Sequence, residues 1–342
     1  MDKISIIGAG SWGTALSGML AEKGLDVTLW AFEEFVVNDI STSRINKTFL
    51  PEYTLPANLN ITSDLKQAVT NAAIIILVVP TQFSRAIIKQ FLPYLLNDVI
   101  IVSASKGLEK NTLQTQSQIL KQYTSFTIAV LSGPSFAKEV IRKLPTAVTI
   151  AVENESDASR LQEIFTTDFF RVYTNNDIIG VELGGSIKNV MAIASGISDG
   201  LGLGLNARAA LITRGLEEMG RLGAKLGANP RTFSGLSGLG DLILTCTANM
   251  SRNYTVGFRL GKGEKIKDIT NSMKSVAEGV ETSQSVFELS KKLYVEMPIV
   301  EKVYNVIYNN LNPAKAVRDL MSRNLKSEFF IQEAPPLDPA KG

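Results

Sequence analysis

The sequence predicts an α/β protein in which a doubly wound parallel sheet is followed by an all-α second domain. Three observations carry that expectation. Short β-branched runs alternate with amphipathic stretches through the first half. A glycine-rich turn joins the first run to the first amphipathic stretch, and beyond Asp177 long helical periods continue with no convincing strand.

Residues 4–7, 26–30, 74–79, 99–103, 127–131 and 147–151 are nearly continuous in apolar character, as in a sheet covered on both faces. Between most of them lie helical periods at 12–23, 83–92 and 115–122, which implies right-handed βαβ units. The polar run Thr174, Asn175, Asn176, Asp177 marks the boundary between a first domain, 1–177, and a second, 178–327. Helices are expected there at 178–197, 207–226, 282–293, 298–308 and 313–321, with Gly-rich loops between. Residues 328–342 contain Ala-Pro-Pro and Asp-Pro, lack an apolar period and are expected to form a flexible tail.

A chain of 342 residues exceeds what one core usually supports, which agrees with two domains. Its 35 basic and 33 acidic residues are scattered, so nothing marks a surface for nucleic acid. No run approaches the roughly 20 apolar residues of a membrane span. The single cysteine, Cys246, excludes a disulfide framework and any multi-Cys metal site. The absence of histidine excludes His-based zinc sites, Ser-His-Asp triads and His general bases, so no metal is expected. The first strand is expected from Ile4, which leaves no room for a signal peptide and points to the cytoplasm.

Gly8-Ala9-Gly10-Ser11-Trp12-Gly13 follows the first strand and opens a helix. In a dinucleotide fold the first glycine permits the tight turn, the second admits a pyrophosphate and the third lets helix and strand pack closely. The helix N-terminus then offers free N–H groups to the phosphates. Glycines of a merely structural turn are the alternative; strand, turn, helix and second strand in the expected order favour the dinucleotide. After the second strand, Glu33 or Glu34 either accepts from a ribose hydroxyl or opens the next helix as its acidic first turn.

Lys106 lies just past the carboxyl end of an expected strand, where open sheets bind ligands; an exposed loop lysine is the bland reading. Gly133, Pro134 and Ser135 follow the next strand in the same way, leading to a helix start or to a simple Pro-containing turn. Lys188 lies in a stretch apolar on all sides, expected to be the buried central helix of its domain. A buried ammonium without a partner has a lowered pKa, suited to proton exchange with a carbonyl oxygen; snorkelling to the surface is the alternative. Asp241 follows three glycines and either caps a helix or holds Lys188 or a substrate hydroxyl. Ser251, Arg252 and Asn253 supply a hydroxyl, a guanidinium suited to phosphate oxygens, and an amide.

Taken together, GAGSWGTAL at Gly8, SASKGLE at Ser103, LSGPSFAKE at Leu131, ELGGSIKNVMAIASGISDGLGLGLNARAALITRGLEEM at Glu182, GLSGLGDLILTC at Gly235, SRNYTVG at Ser251 and MPIVEKVY at Met297 resemble the bacterial NAD(P)-dependent glycerol-3-phosphate dehydrogenases over nearly the whole chain. The resemblance implies a Rossmann-like domain joined to a helical substrate domain, with the active site between them. It implies NAD or NADP as cofactor and interconversion of dihydroxyacetone phosphate and sn-glycerol 3-phosphate, feeding phospholipid synthesis. By motif, Ser11 and Trp12 touch the dinucleotide along the turn of Gly8, Gly10 and Gly13, and Lys106 reaches cofactor and substrate. Gly133 and Ser135 line the substrate, and Ala137 faces the cofactor. Lys188 is the general acid/base. Asp241, Ser251, Arg252 and Asn253 hold the substrate, Arg252 also meeting the cofactor, and Val276 and Glu278 match later cofactor contacts. The chain departs from the family at Phe32, where an arginine is common, so a preference for NADPH does not carry over. A homodimer is compatible with the sequence, which does not set the assembly.

Two other functions share parts of this pattern. A 3-hydroxyacid or 6-phosphogluconate-type dehydrogenase has the architecture and a lysine on a central helix but needs other substrate motifs. A dinucleotide-sensing regulator needs no buried lysine.

Overall fold

The computed structural model describes residues 2–96, 98–273, 277–325 and 327–328. β1 (Lys3–Ile7) leads through the glycine-rich turn to α1 (Ser11–Glu22) and β2 (Val27–Trp30). Next come α2 (Glu34–Ser43), a small hairpin of β3 (Ile45–Asn46) and β4 (Leu50–Thr54), β5 (Asn60–Thr62) and α3 (Leu65–Val69). β6 (Ala72–Leu77), α4 (Thr81–Phe91), β7 (Ile100–Ser103), α5 (Gln116–Lys121) and β8 (Thr127–Ser132) continue the sheet. It closes with α6 (Ala137–Val140), β9 (Thr146–Ala151), α7 (Glu155–Phe165) and β10 (Phe170–Asn175).

The strand order is β10-β9-β8-β7-β6-β1-β2-β5. β1 pairs in parallel with β2 on one side and β6 on the other. Since the chain reverses its direction of travel there, the carboxyl ends of β1 and β6 form the switch point at which such sheets bind ligands. Apolar clusters cover both faces: Ile4, Ile6, Leu16 and Leu29 belong to one, Ile7, Ile75, Leu77 and Phe91 to the other.

The expectation of a parallel sheet fails at one pair. β8 and β9 run antiparallel, while β9 and β10 are parallel to each other. The connection from β8 to β9 contains only the four-residue α6, so the chain folds back beside β8 instead of crossing over a face. β10 escapes a reading by apolar runs because it alternates, with Phe170 and Val172 inward and Arg171 and Tyr173 outward. The β3–β4 hairpin is too short and too polar to announce itself.

The second half is helical: α8 (Ile178–Gly200), α9 (Gly204–Lys225), α10 (Pro230–Phe233), α11 (Asp241–Thr247), α12 (Arg252–Gly261), α13 (Ile266–Ser272), α14 (Glu278–Lys292), α15 (Pro298–Tyr308) and α16 (Pro313–Met321). The expected Gly-rich loops thus hold four short helices, α10 to α13. Of the expected tail, only Glu328 lies among the described residues.

α8 is the axis of this half. Asp177 caps it by accepting from Gly180 N at 2.8 Å, and the same carboxylate accepts from Asn229 N and the Thr232 hydroxyl. By length and composition α8 is apolar enough to cross a membrane, but 94% of its most apolar window is buried inside the fold. α12 crosses it at backbone distance because both helices present glycines. A Cβ on Gly257 would lie 2.0 Å from Ile193 O, and one on Gly200 would lie 2.4 Å from Phe258 O. Ile178 and Val181 at the start of α8 share a cluster with Val130 and Ala151 of the sheet, so helix and sheet are packed together directly.

This crossing generates a stability prediction. Gly257→Ala forces a methyl group into a backbone carbonyl that cannot rotate away, and the variant should lose about 3 kcal/mol or more in urea denaturation. A loss below about 1 kcal/mol would show that the two helices can separate without cost.

Candidate active site

At the end of β1, Gly8 takes φ +120°, and a Cβ there would lie 2.7 Å from Val78 O. Only glycine fits. A Cβ on Gly13 would lie 1.9 Å from Gly8 O, so the third glycine lets α1 pack on the turn. Gly10, by contrast, has nothing within 4 Å of such an atom. It is the N-cap of α1 and provides no side-chain cap, leaving first-turn N–H groups to an outside acceptor. The turn therefore fits a pyrophosphate on its open side.

Ser11 donates its hydroxyl to Phe49 O at 2.6 Å. The Trp12 ring lies 6.4 Å from that of Phe170, and its indole N–H is buried without an acceptor. Phe32 is 74% exposed just after β2, its ring 6.3 Å from Trp30. Glu33 occupies the N-cap position of α2 without a side-chain capping bond, and Glu34 stands in the first turn.

Two lysines meet one carboxylate on the far side of the switch point. Lys188 Nζ donates to Asp241 Oδ1 at 2.5 Å and to the Thr245 hydroxyl at 2.9 Å. Lys106 Nζ donates to Asp241 Oδ2 at 2.7 Å and to Gly133 O at 3.1 Å. Asp241 is 1% exposed and Lys188 6%. Asp241 makes no capping bond at α11, so of its two sequence readings the structure supports the one that holds Lys188. Burial brings the Lys188 ammonium down to about 8: desolvation and the neighbouring Lys106 charge outweigh the opposing pull of Asp241.

Glycines make this meeting physically accessible. A Cβ on Gly185 would lie 2.5 Å from the Ser132 hydroxyl and 3.5 Å from the Lys106 side chain. One on Gly184 would lie 2.4 Å from Ser237 O. The turn over Leu236–Gly240 is a wide, π-type helical turn, resting on α8 where any larger residue would hold it off, and Asp241 follows it immediately.

The remaining expected residues surround this centre. Ser135 donates to Gly133 O at 3.0 Å, and Gly133 takes φ +146°. Ala137 opens α6, a single turn rather than a full helix. Ser251 caps α12 by accepting from Tyr254 N at 3.2 Å, and Arg252 is the exposed first residue of that helix. Asn253 receives Gly279 N at 2.9 Å and donates to Asn189 Oδ1 at 2.9 Å. Glu278 accepts from Thr81 N at 3.2 Å, and burial raises its carboxyl against the pull of Thr81 N–H, Arg252, Lys106 and Lys188. Val276 lies outside the described residues.

Two participants escaped the sequence reading. Thr245 is one helical turn past Asp241 and donates to Asp241 O at 2.6 Å while accepting from Lys188. The i,i+4 spacing was the available signal. Asn189, next to Lys188, donates to Lys106 O at 3.2 Å and so ties α8 to the loop after β7. Among the described residues no group of three or more His, Cys, Asp or Glu side chains is arranged to hold a metal.

Comparison with known proteins now bears on this site. The family of NAD-dependent glycerol-3-phosphate dehydrogenases matches with its N-terminal model over residues 3–158 and its C-terminal model over 177–318. A glycerol-3-phosphate dehydrogenase [NAD(P)+] of Citrifermentans bemidjiense is 53% identical over 331 residues, covering 96% of this chain and 99% of that one. One of Geobacter sulfurreducens is 51% identical with the same coverage. The crystal structure of glycerol-3-phosphate dehydrogenase from Coxiella burnetii superimposes with a TM-score of 0.92 at 42% identity, covering 94% of this chain and 99% of that one.

The shared carboxylate yields a prediction independent of turnover. Asp241 is the group that raises the Lys188 pKa, so Asp241→Asn should move the Lys188 ammonium below about 8 in an NMR titration of side-chain nitrogens. Removing it leaves two ammoniums without their anion, at a cost of about 3 to 5 kcal/mol in chemical denaturation. An unchanged Lys188 titration would show that Asp241 does not govern it.

Proposed function

The chain belongs to the NAD-dependent glycerol-3-phosphate dehydrogenase family, and from that premise we propose that Lys188 is the general acid/base of its reaction. The reaction is the NAD(P)H-dependent reduction of dihydroxyacetone phosphate to sn-glycerol 3-phosphate, and its reverse. Family membership decides against a hydroxyacid or 6-phosphogluconate-type dehydrogenase and against a non-catalytic regulator. We place the activity in the cytoplasm, where its product supplies glycerophospholipid synthesis.

What carries the assignment of Lys188 is its hydrogen bond to Asp241 at 2.5 Å inside a buried helix, beside a second lysine at the carboxyl edge of the sheet. The reduced nicotinamide, when bound, supplies the hydride that adds to the carbonyl carbon. Lys188 gives a proton from Nζ to the oxygen on which negative charge develops, yielding the alcohol. Asp241 and Thr245 hold Nζ in a fixed position, so little reorganisation accompanies the transfer. Lys106, bonded to the other oxygen of the same carboxylate, stabilises the developing alkoxide. Two ammoniums against one carboxylate leave a net positive site, suited to an anionic substrate. Arg252 supplies a forked donor for phosphate oxygens at the start of α12, with Asn253 beside it. Gly133, Ser135 and Ser251 complete the substrate wall, and Gly8, Gly10, Ser11, Trp12, Gly13, Ala137 and Glu278 the cofactor side.

Lys188→Ala should lower kcat by about 10² to 10⁴ while cofactor still binds. The pH dependence has a definite sign. Reduction needs the protonated lysine, so kcat/KM for dihydroxyacetone phosphate should fall as pH rises through about 8. Oxidation of glycerol 3-phosphate needs the neutral amine and should rise over the same range. Near-normal turnover of a folded Lys188→Ala enzyme, or profiles of the same sign in both directions, would remove Lys188 from proton transfer.

The cofactor choice rests on Phe32. A 2′-phosphate needs a cationic partner, and the position after β2 presents an exposed phenyl ring with Glu33 and Glu34 beside it. NADH should therefore serve at least as well as NADPH. Phe32→Arg should shift the ratio of kcat/KM values toward NADPH by at most about 1.5 to 3 kcal/mol. A wild-type enzyme that favours NADPH by orders of magnitude would show that another cation reads the phosphate.

A further inference from the structure

We propose that Asn46, on the β3–β4 hairpin, is a positioning residue for the dinucleotide: it holds the glycine-rich turn in the conformation that aims its main-chain N–H groups outward. The inference rests on reading that turn as the pyrophosphate site.

Asn46 is 0% exposed, although it lies in a two-residue strand near the surface. A buried amide is costly unless each of its groups is paired, and here all are. Nδ2 donates to Ala9 O at 2.8 Å and to the Thr14 hydroxyl at 2.9 Å, while Oδ1 accepts from Phe49 N at 3.0 Å. The Thr14 hydroxyl in turn donates to Ala9 O at 3.2 Å. Two donors therefore fix one carbonyl in the middle of the turn.

The consequence follows from peptide geometry. Ala9 C=O and Gly10 N–H belong to one planar trans unit and point in opposite directions. Pinning the carbonyl toward the buried Asn46 aims the Gly10 N–H the other way, toward the face where a Cβ on Gly10 would meet nothing within 4 Å. Ser11 completes the clamp. Its hydroxyl spends its single proton on Phe49 O at 2.6 Å, so its side chain has no proton left for a phosphate oxygen and Ser11 faces the anion through its main-chain N–H. At its far end the hairpin makes separate contacts that do not touch the turn, Tyr53 donating to Glu22 Oε1 at 2.7 Å and Lys138 pairing with Glu52 at 2.7 Å. A turn preformed in this way loses little conformational entropy when the dinucleotide binds.

NADH titration of the full-length protein, followed by nicotinamide fluorescence, tests this with four variants. Gly10→Val, at a backbone conformation open to any residue (φ −66°), should fold with an unchanged Tm and lose NADH binding; normal binding would sink the reading of the turn itself. Asn46→Ala should raise the NADH Kd about tenfold and Thr14→Val about threefold. Both should keep kcat at saturating NADH, and KM for dihydroxyacetone phosphate, within about twofold of wild type, a split that general destabilisation does not produce. Tyr53→Phe loosens the hairpin at its far end and should leave the NADH Kd unchanged. The clamp is overturned if Gly10→Val abolishes binding while Asn46→Ala and Thr14→Val bind NADH like wild type. It is equally overturned if Tyr53→Phe weakens NADH as much as Asn46→Ala. Should Asn46→Ala fail to fold, Thr14→Val, which keeps the side-chain shape, decides alone.

Discussion

One buried carboxylate holds two ammonium groups. Asp241 takes Lys188 from the central helix on one oxygen and Lys106 from the sheet's carboxyl edge on the other, so a single residue joins the charges of both halves of the molecule. Removing Asp241 would leave two ammoniums without their anion in the interior, which is far costlier than losing a surface pair. The positions of three chain segments, the loop after β7, the middle of α8 and the start of α11, are therefore not independent. Each is where it is because the others are.

That constraint explains why the surrounding backbone is so rich in glycine. The Leu236–Gly240 turn must lie on α8 closely enough to deliver Asp241, and α12 must cross α8 closely enough to bring Asn253 to Asn189. Both contacts are made at backbone distance. Hydrogen bonds between the two halves then secure what the packing allows: Glu182 accepts from Ser117 N at 2.8 Å and from its hydroxyl at 2.5 Å, Asn189 donates to Lys106 O, and Glu278 accepts from Thr81 N. The burial that lowers the Lys188 pKa is produced by the same close packing. The lowered pKa of Lys188 and the helix crossing thus have a common cause.

The dinucleotide edge follows a different logic. The lysine centre presents charge held in a buried interior, whereas the turn at Gly8–Gly13 presents main-chain N–H groups on an open face. Beside it, the exposed Phe32 ring is followed by the acidic Glu33 and Glu34.

The sheet, the glycine-rich turn and the apolar central helix were legible in the chain, because each is a local pattern: buried strands read as apolar runs, and a turn needing positive φ demands glycine at Gly8. Lys188 stood out for the same reason, as a charge inside an apolar period. Local pattern could not reveal the antiparallel return at β9, which depends on how a short connection packs, nor the alternating strand β10. It left open whether Asp241 caps a helix or binds a lysine. It was silent on Thr245, Asn189 and Asn46, whose side chains are ordinary in sequence and whose partners lie on other elements, except that Thr245 also bonds back to Asp241. The sequence by itself thus determined the principal buried strands and long helices and which residues carry unusual chemistry. Only the tertiary structure decided which of those residues share a charge, a carbonyl or a proton, because hydrogen bonds and desolvation act through distances that the order of residues does not specify.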